Sequence, residues 1–187
     1  MLIEALLPPA GVIFLAELGD KTMLATMCFS AQCRRPSLVL LASIAALTSS
    51  TILAIVAGML MAATLPLELI FYLSGAIFII MGIYMLGSLH TESGATYQST
   101  STFLGMFSLV FVSELGDKTQ LACLLLAAES PFPILVFIGA MIGFFVVNSI
   151  GAVAGRGIAG AVPFRLIRGA TAAVFIAVGV LIVLRIL

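Results

Sequence analysis

Residues 1–90 align with residues 98–187 at a single offset of 97, without a gap, and both copies carry the same hexapeptide. Glu17-Leu18-Gly19-Asp20-Lys21-Thr22 returns letter for letter as Glu114-Leu115-Gly116-Asp117-Lys118-Thr119. The offset also pairs Phe14 with Phe111, Pro36 with Pro133, Pro66 with Pro163, Phe78 with Phe175 and Gly82 with Gly179. Matches run through all three apolar stretches of each copy, so the chain reads as a tandem duplication of a three-helix unit. The expected organisation is a first repeat at 1–90, a linker at 91–97 and a second repeat at 98–187, within one membrane domain.

The medium follows from composition. The chain is 63% hydrophobic and 9% charged, with a mean hydropathy of +1.31. Soluble domains carry about a quarter charged residues, so these values exclude a water-soluble globule. The formal net charge of zero gives no support for nucleic-acid binding. Apolar stretches near 5–29, 37–62, 66–89, 102–127, 132–154 and 164–186 each reach the roughly 20 residues that a helix needs to cross a bilayer. Strand-like alternation is absent, which favours helices over a barrel. The expected fold class is thus an all-α integral membrane protein of six transmembrane helices.

Met1-Leu2-Ile3-Glu4 has no basic residue ahead of its apolar run, so the first stretch reads as a transmembrane helix and not a removable signal. Cys28, Cys33 and Cys123 lack metal-ligand spacing and read as packing or exposed thiols. His90, beside the polar segment 90–101, is expected at the membrane interface.

Three helices per repeat is an odd number, so the second copy must enter the membrane from the opposite side, as inverted-topology repeats. Charge gives an independent check. Loops joining helices 1 to 2, 3 to 4 and 5 to 6 hold Arg34, Arg35, Arg156, Arg165 and Arg168, whereas the other side has Arg185 with Glu4, Glu68 and Glu129. The positive-inside rule then puts both termini outside.

Each hexapeptide places two carboxylates and an ammonium in an apolar run, and intramembrane ionisable groups usually mark ion or substrate pathways. On a continuous helix, Glu17, Asp20, Lys21 and Leu24 share one face, as do Glu114, Asp117, Lys118 and Leu121. A purely structural alternative pairs Glu17 with Lys21 and Glu114 with Lys118 at i to i+4, leaving Asp20 and Asp117 without partners. Such carboxylates require protons or a cation. Four carboxylates and two ammonium groups sum to minus two, the charge that one divalent cation or two protons would balance.

Oxygen ligands suit Mn²⁺, Ca²⁺ or Mg²⁺. Glu17, Asp20, Glu114 and Asp117 are therefore the expected metal ligands, with Lys21 and Lys118 balancing charge. Thr22 and Thr119 are expected as oxygen donors or hydrogen-bond partners, unless they bond back to their own helices. Gly19 and Gly116 allow either close helix packing or a local break that frees backbone carbonyls. Asn148 and its repeat mate Thr51 are weaker candidates for ligation or support, against simple helix-to-helix hydrogen bonding. Gln120 adjoins the second motif where the first has Met23.

The doubled Glu-Leu-Gly-Asp-Lys-Thr resembles the GDT family of transmembrane cation transporters, which includes Golgi Mn²⁺/Ca²⁺ exchangers and bacterial manganese exporters. The resemblance covers essentially the whole chain, and both motifs fit without departure. It implies export or exchange of Mn²⁺, alternatively Ca²⁺, driven by protons, with Glu17, Asp20, Glu114 and Asp117 at the centre. The short chain resembles bacterial members, which implies the cytoplasmic membrane. The expected partners are a divalent metal, protons and lipid, with no resident cofactor and no enzymatic activity; nothing in the sequence specifies an oligomeric state. An intramembrane aspartyl protease could also place Gly-Asp pairs on two helices. Here, however, each aspartate is followed by a lysine that favours its ionised form. An exporter of organic cations would want an aromatic cage, and the chain has no tryptophan.

Overall fold

The computed structural model describes residues 2–33, 35–87, 102–154 and 164–184. The expected linker, His90, Arg34, Arg156 and Arg185 lie outside the described residues, as do the side chains of Arg165 and Arg168. Among the described residues the chain forms α1 (Leu2–Glu17), α2 (Lys21–Cys33), α3 (Pro36–Thr64), α4 (Leu67–Gly87), α5 (Phe103–Glu114), α6 (Lys118–Glu129), α7 (Pro133–Ala154) and α8 (Phe164–Val183).

Local chemistry sets many of these limits. Pro36 opens α3, where a missing N–H costs nothing. Thr102 caps α5 by accepting a hydrogen bond from the Gly105 N–H at 3.2 Å. Leu65 is extended because Pro66 follows it, which ends α3.

Among the described residues three helices, α3, α4 and α7, are long and apolar enough to cross a membrane individually. The expected first and fourth spans are each broken into two helices. Gly19 has φ 74° and Gly116 has φ 78°, a left-handed conformation that glycine adopts without a Cβ penalty. The two breaks match bond for bond. Asp20 N–H donates to Glu17 O at 3.0 Å and Leu24 N–H to Asp20 O at 3.0 Å; Asp117 and Leu121 make the same bonds at 3.1 Å each. Even the freed glycine N–H groups find equivalent acceptors, Met23 Sδ for Gly19 and Gln120 Oε1 for Gly116.

The halves interlock. Helices α1 and α2 lie against α7, α5 and α6 lie against α3, and α4 lies along α8. A Cβ on Gly75 would come 2.8 Å from Gly179 O, and one on Gly82 would come 2.8 Å from Ala172 O. These two contacts exchange under the offset of 97, since Gly75 pairs with Ala172 and Gly82 with Gly179. Between them Phe78 meets its own repeat mate Phe175, ring centroids 5.4 Å apart. Close backbone approach through small residues is the usual means of holding helices together in lipid, where apolar burial supplies little drive.

Ile13, Leu47, Val110, Phe144 and Phe175 fill the centre, while Leu60, Tyr84, Leu104, Ile134 and Val153 stand on the outside. A helical bundle that is apolar both inside and out has lipid as its solvent. The protein is an all-α multi-pass membrane protein.

Candidate metal centre

Breaking both helices at the glycines changes what each motif can present. Glu17 and Glu114 become the last residues of α1 and α5, while Lys21 and Lys118 become the first of α2 and α6. The single helical face expected for Glu17, Asp20, Lys21 and Leu24 does not form, because the left-handed residue interrupts the helix between the glutamate and the lysine.

The expected i to i+4 ion pairs are accordingly replaced. Lys21 Nζ lies 3.0 Å from Asp117 Oδ1, and Lys118 Nζ lies 2.6 Å from Asp20 Oδ2, so each lysine reaches the aspartate of the other motif. Lys118 also stands 3.3 Å from its neighbour Asp117. The aspartates, expected to lack partners, are the paired carboxylates. Among the described residues the glutamates are left without cationic contact at salt-bridge distance.

The glutamates differ from each other. Both are fully buried. Glu114 accepts hydrogen bonds from Thr22 Oγ1 of the first motif and from Thr119 Oγ1 of its own, the latter at 3.1 Å. Both Glu17 oxygens are without a hydrogen-bond partner among the described residues. A buried ionised carboxylate in that condition is costly unless a proton or a cation satisfies it. Carboxylate oxygens of Glu17, Asp20 and Glu114 all lie within 4.8 Å of one another, drawn from both motifs. Three hard oxygen donors that close, with threonine hydroxyls around one of them, form an arrangement able to coordinate a divalent cation.

The surroundings are unequal as well. The Lys21 side chain is 45% exposed but that of Lys118 only 15%, so the ion pair at Gly116 faces outward and the one at Gly19 is enclosed.

Asn148 is buried among helix-to-helix bonds: its Oδ1 accepts from Thr26 Oγ1 at 2.8 Å and its Nδ2 donates to Phe144 O at 2.9 Å. Thr26 also lies 3.1 Å from Ser43 Oγ, which ties α2, α3 and α7 together. Thr51 is buried in α3. Gln120 adds to its capping role a 3.5 Å bond to Ser50 O. Sequence reading passed over Thr26 and Ser30, the latter donating to Ala152 O at 2.6 Å. Their spacing of four after Thr22 marks one face of α2, but the repeat mates Cys123 and Ala127 carry no hydroxyl, so the alignment did not reveal them.

Broken helices meeting at a buried carboxylate cluster inside an apolar bundle define a membrane transporter of cations. The chain belongs to a family of such proteins, described as the divalent cation/proton antiporter GDT1, whose pattern matches residues 5–93 and 102–186. It is also 27% identical over 165 residues to a proposed manganese exporter of Vibrio cholerae serotype O1, a match covering 88% of this chain and 82% of the other. No solved structure matches it. It is thus a transporter of the divalent-cation class, and an enzymatic reading of the paired Gly-Asp motifs has no support.

Proposed function

We propose that the protein exports Mn²⁺ from the cytoplasm in exchange for protons, by alternating access around a site built from Glu17, Asp20, Glu114 and Asp117. The observation that carries this reading is the approach of Glu17, Asp20 and Glu114 oxygens to within 4.8 Å, with Glu17 buried and unpartnered. The two lysine–aspartate pairs cancel their own charges. What is left is the glutamate pair, whose charge of minus two equals that of one divalent cation or two protons of opposite sign. Asp117, held by both lysines, is the fourth carboxylate and sets their positions.

The family description supports proton exchange, and the Vibrio cholerae relative supports manganese. Ca²⁺ is the second substrate that this oxygen-only donor set suits. Contacts that exchange under the offset of 97, namely Lys21–Asp117 with Lys118–Asp20 and Gly75–Gly179 with Gly82–Ala172, support six spans arranged as two inverted repeats, 1–90 and 98–187. The arginine distribution supports both termini outside, and the bacterial relative supports a bacterial cytoplasmic membrane.

Reconstitution into liposomes containing a metal-sensitive dye and a pH dye tests the reading, stepping through Mn²⁺, Ca²⁺, Mg²⁺ and Zn²⁺. Mn²⁺ flux accompanied by opposite proton flux is expected. Metal flux without proton movement would rule out exchange.

A further inference from the structure

At one end of the bundle, away from the motifs, a cavity of about 170 Å³ holds a second acidic group, Glu129. The N-terminal parts of α1, α4 and α7 and the last turns of α6 and α8 line it, through Pro8, Pro9, Phe71, Leu126, Val136 and Ile182. Glu129 Oε1 is shielded from solvent and has no hydrogen-bond partner. The buried Ser74 hydroxyl stands beside the same carboxyl group, and Ser130 adds one more hydroxyl at the rim. No other ionisable side chain lines the cavity from α1, α4, α7 or α8 among the described residues. The side chains of Glu4 and Arg185 lie outside those residues.

A carboxylate in such a place requires a proton or a cation. A hard divalent ion such as Ca²⁺ takes about six or more oxygen ligands, and this lining is apolar apart from the Glu129 carboxyl and the Ser130 hydroxyl, with the Ser74 hydroxyl beside them. The chemistry therefore fits a proton. Location gives that proton a role. Glu129 and Lys118 are the two ends of α6, about 16 Å apart at 1.5 Å per residue. The half-helix that carries the Lys118–Asp20 ion pair thus also carries Glu129. Moreover, the repeat mate of Glu129 is Gln32, an amide that cannot take up a proton, so only one end of the duplicated chain has this acid. The arginine distribution assigns that end to the outside.

We propose that Glu129 takes up the counter-transported proton at the outer mouth of the transporter, separate from the metal cluster. The proposal rests on the exchange reading above. The proton enters from the outer solution and forms the O–H bond on the Glu129 carboxylate; its release restores the anion.

Full-length protein in liposomes tests this with Glu129→Gln and Glu129→Asp. Infrared difference spectra on acidification should contain a carboxylic-acid carbonyl band that Glu129→Gln removes. Mn²⁺ binding at neutral pH should persist in that variant, which also reports that it folds. Its Mn²⁺ flux should lose its dependence on outer pH, and Glu129→Asp should restore it. A wild type that moves metal without protons would sink the exchange reading. Coupled wild-type exchange with an unchanged pH profile in Glu129→Gln would overturn the role of Glu129 alone, as would loss of Mn²⁺ binding or an infrared band that survives the substitution.

Discussion

The Lys118 ammonium lies 2.6 Å from the Asp20 carboxylate, joining the first residue of α6 to the turn that ends α1. With its counterpart between Lys21 and Asp117, it fixes the two broken helices against each other. Both lysines are thereby removed from the glutamates, which remain free to hold a cation.

Removing Asp20 from this mostly enclosed pair leaves Lys118 with only the more distant Asp117, at 3.3 Å. Asp20→Asn should lower stability by about 3 kcal/mol, a loss that Lys118→Met in the same chain should largely recover. Thermal unfolding in detergent measures it. Mn²⁺ exchange in liposomes should be abolished in Asp20→Asn and in Asp117→Asn, and wild-type exchange in both would exclude the proposed ligand set.

Glu114 is oriented by two threonines and Glu17 by none, so the hydroxyls should matter on one side only. Hydrogen bonds to charged groups contribute about 1.5–3 kcal/mol, so Thr22→Val should weaken Mn²⁺ binding about tenfold or more. Thr26→Val, which removes a bond to Asn148, should leave the affinity near wild type. Equilibrium titration with Mn²⁺ compares them.

Gly116 has open space around a would-be Cβ, so any penalty for substitution there is conformational. Gly116→Ala should cost about 1–2 kcal/mol for the left-handed backbone, Gly116→Asn less and Gly116→Val more. The rank order in melting temperature checks this. Equal melting temperatures would mean that the break does not depend on glycine.

Helices α4 and α8 meet without room for side chains at Gly75 and Gly82. Gly82→Val should destabilise by about 1–3 kcal/mol through overpacking. Gly11→Ala in α1, where a Cβ would touch nothing within 4 Å, should be neutral or stabilising by up to about 1 kcal/mol. Unfolding in the same detergent separates the two.

Much of this arrangement was legible before any coordinates. Helix ends at Pro36, Pro66 and Pro133 followed from proline chemistry, and the acidic residues of the cluster followed from finding charge where lipid surrounds the chain. The partners of those charges did not follow. Spacing along a continuous helix joins Glu17 to Lys21, and only the left-handed turn at Gly19 makes that pairing unreachable. Glycine is compatible with either packing or a break, so its letter could not decide between them.

The sequence by itself determined the medium, the duplication and the residues carrying charge, because apolarity and self-similarity are properties of the chain alone. Tertiary structure decided which carboxylate meets which ammonium, that Glu114 gathers both threonines while Glu17 gathers neither, and that Glu129 opens into a cavity at the far end of α6. Such outcomes depend on distances between helices far apart in the chain, and identical motifs acquire different surroundings once interlocking helices bury one turn and expose the other.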